Sequence, residues 1–324
     1  MPARYVLRVV LILAALLIAA LLALTYASYR RDIGRAYDRI ATGSQIAQTR
    51  CGPIEYAVAG EGPPLLSVHG AGGGFDQGLE LAEPLARSGF RVIAVSRFGY
   101  LRTPLPAEAT PATQADAHAC LLDALKIPRA AIIGVSAGGP SSMQFAMRHA
   151  ARCTALVLLV PIAWTPQAAE RLAPPSPAAR WMFETALESD FLYWAAARAS
   201  PTLVLESVLA TPRDMLERAD AEEKARIAWM MFQPLPVSAR RTGLHNELRV
   251  IMALERYELE RITAPTLVIS ARDDFYGTYA SSLYTARQIP GARFLGLPDG
   301  GHLWVGRHRE VMGEIISFLA TSAR

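Results

Sequence analysis

The chain has 324 residues, 52% of them apolar and 19% charged, with a formal net charge of +4. That balance excludes a disordered chain and is enough for a sizeable buried core. The arginines are scattered and form no long basic run, which argues against a nucleic-acid partner.

The first predicted element is apolar. No residue from Val9 to Tyr29 is charged. As a helix rising ~1.5 Å per residue, this segment covers roughly 30 Å, the thickness of a bilayer hydrocarbon core. Arg4 and Arg8 precede it, Arg30, Arg31 and Arg35 follow it, and Tyr26 and Tyr29 stand where interfacial aromatics sit. Residues 1–31 are therefore expected to be a single transmembrane anchor. A cleaved secretion signal is the alternative, but Thr25-Tyr26-Ala27 matches the small-residue cleavage pattern poorly. Positive charge at both ends says little about orientation; the usual outcome for a signal-anchor leaves the following domain outside the cytoplasm.

Residues 32–50 are polar and read as a connector. Residues 51–160 then alternate strand and helix. Strands are predicted at Ile54–Val58, Leu65–His69, Arg91–Val95, Ala130–Ile133 and Ala155–Val160. Helices are predicted at Phe75–Ser88, at Thr113–Lys126 with Thr113 as its cap, and at Ala137–His149. This rhythm implies a mostly parallel sheet with helices on both faces. From 161 to 260 the pattern is helical, punctuated by prolines, with no strand of comparable strength. Residues 261–324 resume it with strands Thr266–Ser270 and Ala292–Leu297 and the helix Glu310–Ala320. A helical block between two sheet strands reads as a lid over the sheet's carboxyl edge, where open α/β sheets bind ligands.

Cys51, Cys120 and Cys153 are far apart and lack the C-x-x-C spacing of a zinc or redox site. They read as buried, inert thiols.

Three clusters carry chemistry. Gly134-Val135-Ser136-Ala137-Gly138-Gly139 follows one strand and opens a helix. A serine at such a turn projects its hydroxyl at a helix N-terminus, and small residues two positions before and after it avoid clashes. His69-Gly70-Ala71-Gly72-Gly73-Gly74 follows another strand. Its glycines let backbone amides approach a substrate, as an oxyanion hole requires. Ala137 and Ala71 are the candidate donors, with Gly72 as the alternative to Ala71; His69 reads as a buttress of the loop. The third cluster is Ala271-Arg272-Asp273-Asp274 with Gly300-Gly301-His302. A serine needs a base, and a histidine base needs a carboxylate to fix its tautomer. Ser, Asp, His is the chain order found when a nucleophile elbow opens the series.

These motifs, VHGAGGG (68–74), GVSAGG (134–139), PTLVISARDD (265–274) and GGHL (300–303), resemble the α/β-hydrolase superfamily, and more closely its lid-bearing esterases and carbon–carbon bond hydrolases. The likeness covers roughly Gly52–Leu319. It implies an α/β-hydrolase fold with an inserted helical lid, a Ser136–His302–Asp274 triad, and no metal or organic cofactor. The family's usual spacing selects Asp274 over Asp273. Two departures stand out. Ser270-Ala271 replaces the common His-Gly, and Ser96-Arg97-Phe98-Gly99-Tyr100-Leu101-Arg102-Thr103 replaces the common Asp-x-x-Gly-x-Gly-x-Ser. The second loop is expected near the pocket.

The expected activity is hydrolysis of a carboxylic ester or related small acyl compound. Carbon–carbon bond hydrolysis, cofactor-free haloperoxidase chemistry and, in another class, non-catalytic ligand binding on the same fold are the rivals. The lid aromatics Trp164, Trp181, Phe183, Phe191, Tyr193, Trp194, Trp229 and Phe232 are candidates for an acyl pocket, though ordinary packing explains most of them. Arg240, Arg241 and Arg249 are candidates for binding an anionic substrate, but solvent-exposed charge is the default reading. Oligomeric state is not legible.

Overall fold

A computed structural model describes residues 2–166 and 188–322. Eight strands form one sheet in the order β1-β2-β4-β3-β5-β6-β7-β8. They are β1 (Gln45–Thr49), β2 (Gly52–Ala59), β3 (Pro64–Val68), β4 (Arg91–Val95), β5 (Ala130–Val135), β6 (Cys153–Leu159), β7 (Thr266–Ala271) and β8 (Arg293–Leu297). The β1–β2 and β2–β4 pairs are antiparallel, and all later pairs are parallel.

The central strands read as unbroken apolar runs because helices cover both faces of the sheet. Successive residues point to opposite faces. Leu65, Ile133, Val157 and Leu267 join one core cluster, and their neighbours Leu66, Ile132, Leu158 and Val268 join the other. The first face also holds α2 (Phe75–Leu81), α3 (Glu83–Arg87) and α12 (His308–Ser322); the second holds α4 (Pro111–Ala124), α5 (Gly139–Arg148) and α11 (Thr278–Gln288).

Several local expectations are corrected. The single helix expected over Phe75–Ser88 breaks at Ala82, just before Pro84 in the first turn of α3, a position proline tolerates where a helix interior does not. The α4 cap is Thr110, whose hydroxyl accepts from Thr113 N–H while the Thr113 hydroxyl accepts from Thr110 N–H. Thr113 is thus the third helical residue of a reciprocal cap. Residues 32–50 are not a free connector: α1 runs from Pro2 to Ala41, and β1 is an edge strand. Its side chains are mostly exposed, so the alternation that reveals half-buried strands is missing. Cys51 and Cys120 form a disulfide across 69 residues, and only Cys153 is a buried free thiol among the described residues.

Every residue from Arg4 to Ala27 in α1 is exposed, and the next turns dock on the body. Ile33 and Ala36 are buried beside Tyr193, Trp194, Leu235 and Val237. Asp32 accepts from Trp194 Nε1 and Arg198, and Arg39 pairs with Asp76 at 3.0 Å.

Between β6 and β7 the described residues form helices and no strand. These are α6 (Asp190–Ala199), α7 (Pro201–Ser207), α8 (Asp214–Arg218), α9 (Ala221–Phe232) and α10 (Arg241–Met252). Ser189 caps α6 and Asp220 caps α9. Arg240 corrects the surface reading: it is fully buried, pairing with Asp76 at 2.8 Å and donating to the Gly73 carbonyl at 2.5 Å. Arg241 pairs with Glu188, and Arg249 bonds Asn246 and the Ala109 carbonyl.

The aromatic residues between β6 and β7 that are described mostly pack. Tyr193 donates to the Met231 carbonyl, Phe191 and Trp194 flank Tyr29, and Trp164 meets Tyr284 edge-on. Trp229 and Phe232 are half-buried against the larger core. Trp181 and Phe183 lie outside the described residues.

Candidate active site

The sheet order brings four loops together. β3 lies between β4 and β5, and β5 is followed by β6, β7 and β8, so the loops after β3, β5, β7 and β8 open along one carboxyl edge.

Ser136 sits on the sharp turn between β5 and α5, with φ of 51°. The left-handed region costs an L-residue roughly 1–2 kcal/mol and is held only where the surroundings enforce it. The neighbours do so by proximity. A Cβ on Gly134 would lie 2.8 Å from Ser142 Cβ, and one on Gly138 would lie 2.5 Å from the Val68 carbonyl oxygen. Both positions must therefore be glycine while the turn stays this close to β3.

His302 lies in a one-turn helix, Gly301–Leu303, after β8. Its Nε2 is 2.9 Å from Ser136 Oγ and its Nδ1 is 2.7 Å from Asp274 Oδ2. Asp274 follows β7 and is buried. Its Oδ1 accepts from Tyr276 N–H at 2.9 Å, and its Oδ2 also accepts from the Thr278 hydroxyl. Tyr276 meets the His302 ring edge-on at 4.9 Å. The carboxylate is thus fixed on both oxygens before it orients the imidazole.

Asp273 turns elsewhere. Its two oxygens accept from the N–H groups of Gly300 and Gly301, at 3.2 and 2.8 Å. It ties the loop that carries His302 to the end of β7, a role invisible in a pair of adjacent aspartates.

The glycine-rich loop after β3 lies against the Ser136 turn: a Cβ on Gly70 would be 3.2 Å from Ser136 Cβ. Gly70 N–H donates to Gln77 Oε1 at 2.9 Å. Gly72 N–H points to the Tyr100 hydroxyl at 3.4 Å, so it is engaged away from the serine. On the other side, the Ser136 carbonyl accepts from Ile162 N–H at 3.0 Å. A trans peptide sets its N–H opposite its carbonyl, so the Ala137 N–H points the other way. His69 buttresses the loop. Its ring is fully buried, with Nδ1 2.7 Å from the Gly70 carbonyl and Nε2 3.0 Å from Arg97 N. Burial first, and then the Arg97 charge, hold its pKa well below the usual histidine value, so the ring is neutral.

Sequence reasoning missed Arg97 and Glu247. Arg97 was visible only as part of an unusual loop, and Glu247 stands 150 residues away with no motif around it.

A mostly parallel eight-stranded sheet with a serine on its central strand-to-helix turn, a glycine loop beside it and a helical insertion after β6 defines an α/β-hydrolase. The family model described as alpha/beta hydrolase fold matches residues 63–305. The chain belongs to this family and is a hydrolase. It is 26% identical over 279 residues to an uncharacterized hydrolase, YcgS, of Bacillus subtilis, covering 82% of this chain and 94% of that one. A putative carbamate hydrolase, RutD, of Stutzerimonas stutzeri is 30% identical, covering 75% of this chain and 85% of the relative. Among solved structures, an α/β-hydrolase fold protein from Nakamurella multipartita superimposes with a TM-score of 0.67 at 31% identity, covering 85% of this chain and 98% of that one.

Proposed function

We propose that the protein is a serine hydrolase acting on a carboxylic ester or related acyl compound. Ser136 Oγ attacks the acyl carbonyl and His302 Nε2 takes its proton. Asp274 holds the Nδ1–H tautomer and stabilises the imidazolium. The N–H groups of Ala71 and Ala137 receive the oxyanion. His302 then passes the proton to the leaving group, which departs. A water molecule, deprotonated by His302, attacks the acyl-enzyme and releases the acid.

The single observation that carries this reading is the unbroken hydrogen-bond chain from Ser136 Oγ through His302 to Asp274, at 2.9 and 2.7 Å. A protein that only binds ligands has no use for a strained serine aligned with a carboxylate-backed imidazole. The name of the Stutzerimonas relative refers to a carbamate, which is also an acyl compound open to this chemistry. Turnover of p-nitrophenyl butyrate that disappears in Ser136→Ala is the expected result. Turnover equal to the buffer rate, in protein that still binds small acyl compounds, would favour the binding reading. Cleavage of a diketone with no ester turnover would favour carbon–carbon bond hydrolysis.

We also propose that Val9–Tyr29 crosses a membrane and that residues 161–260 act as a lid. All of Arg4–Ala27 projects from the body without burial, a state that apolar side chains leave by entering lipid. The Cys51–Cys120 disulfide favours an oxidising compartment for the catalytic domain. A chain beginning at Asp32 keeps Ile33, Ala36 and Arg39, and is expected to be active without detergent. Isolation of mature protein already lacking residues 1–27 would instead make the segment a cleaved signal.

A further inference from the structure

The proposed oxyanion hole draws one amide from the loop after β3 and one from the turn after β5. Such a hole works only if both donors are aimed before the reaction. Something must therefore hold two separate peptides in register.

Arg97, in the loop after β4, touches both segments. Its Nη2 donates to the Gly70 carbonyl at 3.0 Å and its Nη1 donates to the Ala137 carbonyl at 3.2 Å. The Gly70 carbonyl belongs to the same peptide as the Ala71 N–H, and in a trans peptide the two point in opposite directions. Drawing the carbonyl towards Arg97 turns the Ala71 N–H away from it. A second route runs to the same carbonyl. Arg97 N–H donates to His69 Nε2, which leaves the proton on Nδ1 to be donated to Gly70 O. Charge-assisted and chained hydrogen bonds to a carbonyl also polarise its peptide, making the N–H a stronger donor.

Arg97 is itself held by the helical insertion. Glu247 on α10 pairs with Arg97 Nη2 at 2.5 Å through Oε1, and its Oε2 accepts from the Tyr100 hydroxyl. Tyr100 in turn takes the Gly72 N–H. All three side chains are buried. Close backbone contact fixes α10 on this loop: a Cβ on Gly99 would lie 2.9 Å from Gly243 N, and one on Gly243 would strike the Tyr100 ring. A buried arginine near an active site suggests a subsite for an anionic substrate. Here Nη1 and Nη2 are already occupied by two carbonyls and a carboxylate.

We propose that Arg97 is a positioning residue for the oxyanion hole, and that Glu247 makes the aim of the hole depend on the seating of the insertion. This rests on the Ser136 hydrolase reading above. Seating α10 delivers the carboxylate that orients Arg97, and Arg97 aligns the loops after β3 and β5. Unseating it releases both.

The test uses the full chain in detergent with p-nitrophenyl butyrate, comparing Glu247→Gln, Arg97→Lys and Arg97→Ala with wild type. Removing one oxyanion donor outright costs about 10²–10³ in kcat, so misaiming one is expected to cost roughly 10- to 100-fold. Arg97→Ala should show the larger loss and Glu247→Gln the smaller, each with KM changed by about two-fold or less. Arg97→Lys should recover only part of the activity, since a point charge lacks the planar fork that spans two carbonyls. Inhibition by phenylboronic acid, whose serine adduct places an anionic oxygen in the hole, should weaken in proportion to kcat. A raised KM with unchanged kcat would make Arg97 a substrate-binding residue and overturn the proposal. So would wild-type kcat and boronate affinity in folded Glu247→Gln, which preserves size and decides the matter if Arg97→Ala fails to fold. Retained turnover in Ser136→Ala would overturn the underlying hydrolase reading instead.

Discussion

In the sheet, the side chains that hold the structure are Leu66, Ile132, Leu156 and Val268, fully buried among other apolar groups. In the helical insertion, Val204, Leu205, Ile227, Met230 and Met231 join the apolar core on the sheet's other face, and the seam also carries buried charge: Arg240 on Asp76, and Glu247 on Arg97. Apolar packing is non-directional but as dense as an organic crystal, so the sheet yields little. A buried ion pair is directional, and a lost partner leaves an uncompensated charge. The sheet therefore holds Ser136, Asp274 and His302 in one arrangement, while any displacement of the insertion would have to break the Arg240–Asp76 and Glu247–Arg97 pairs.

The sharpest way to break this comparison lies on the sheet side. Asp274→Asn should keep the fold and lower turnover by about 10⁴, because the amide no longer holds the required histidine tautomer. Ester turnover near neutral pH, with circular dichroism as the control, checks it. A loss below ten-fold would remove Asp274 from the triad.

On the insertion side, Asp76→Ala leaves two arginines facing each other without a carboxylate. It is expected to destabilise the protein by about 3–5 kcal/mol, read from denaturant unfolding. The same pair predicts a pH dependence. Burial alone would raise the Asp76 pKa, but Arg240 and Arg39 overcome it and hold the folded-state value below the usual carboxylate range. A depressed folded pKa contributes stability that is present above the unfolded value and lost as pH falls through the folded one. Acid unfolding should therefore carry an Asp76 component below the ordinary carboxylate range, absent in Asp76→Asn.

A smaller effect belongs to the disulfide. Cys120→Ser opens a 69-residue loop and should cost about 2–4 kcal/mol by thermal or denaturant melting. An unchanged melt would mean that the thiols are not paired in solution.

The smallest effect separates the adjacent aspartates. Asp273→Asn keeps one acceptor for the Gly300–Gly301 backbone and replaces the other with an NH2 group that cannot accept, a loss of about 1 kcal/mol or roughly five-fold in turnover. A loss as large as that of Asp274→Asn would show that the seat of the His302 loop matters as much as the acid.

What was legible follows the same division. The strands β3, β5, β6 and β7 were visible because both their faces are buried and their sequences are continuously apolar. Ser136, His302 and the Asp273-Asp274 pair were visible because each stands directly after a strand in a short motif. Edge strand β1 was hidden, since its exposed Gln45 and Gln48 give no apolar period. Arg240 looked like surface charge because its partner Asp76 is 164 residues away. Arg97 and Glu247, and Cys51 and Cys120, were unreadable as pairs for the same reason. A single sequence records local pattern, and these contacts are made by the tertiary fold.

The central claim is that Ser136 is the nucleophile, and reaction with a fluorophosphonate tests it most directly. Intact-mass spectrometry of the wild-type chain should show one phosphonyl group, mapped to Ser136, and Ser136→Ala of unchanged circular dichroism should show none. A folded Ser136→Ala protein that is still labelled, or a wild-type adduct on another residue, would contradict the account.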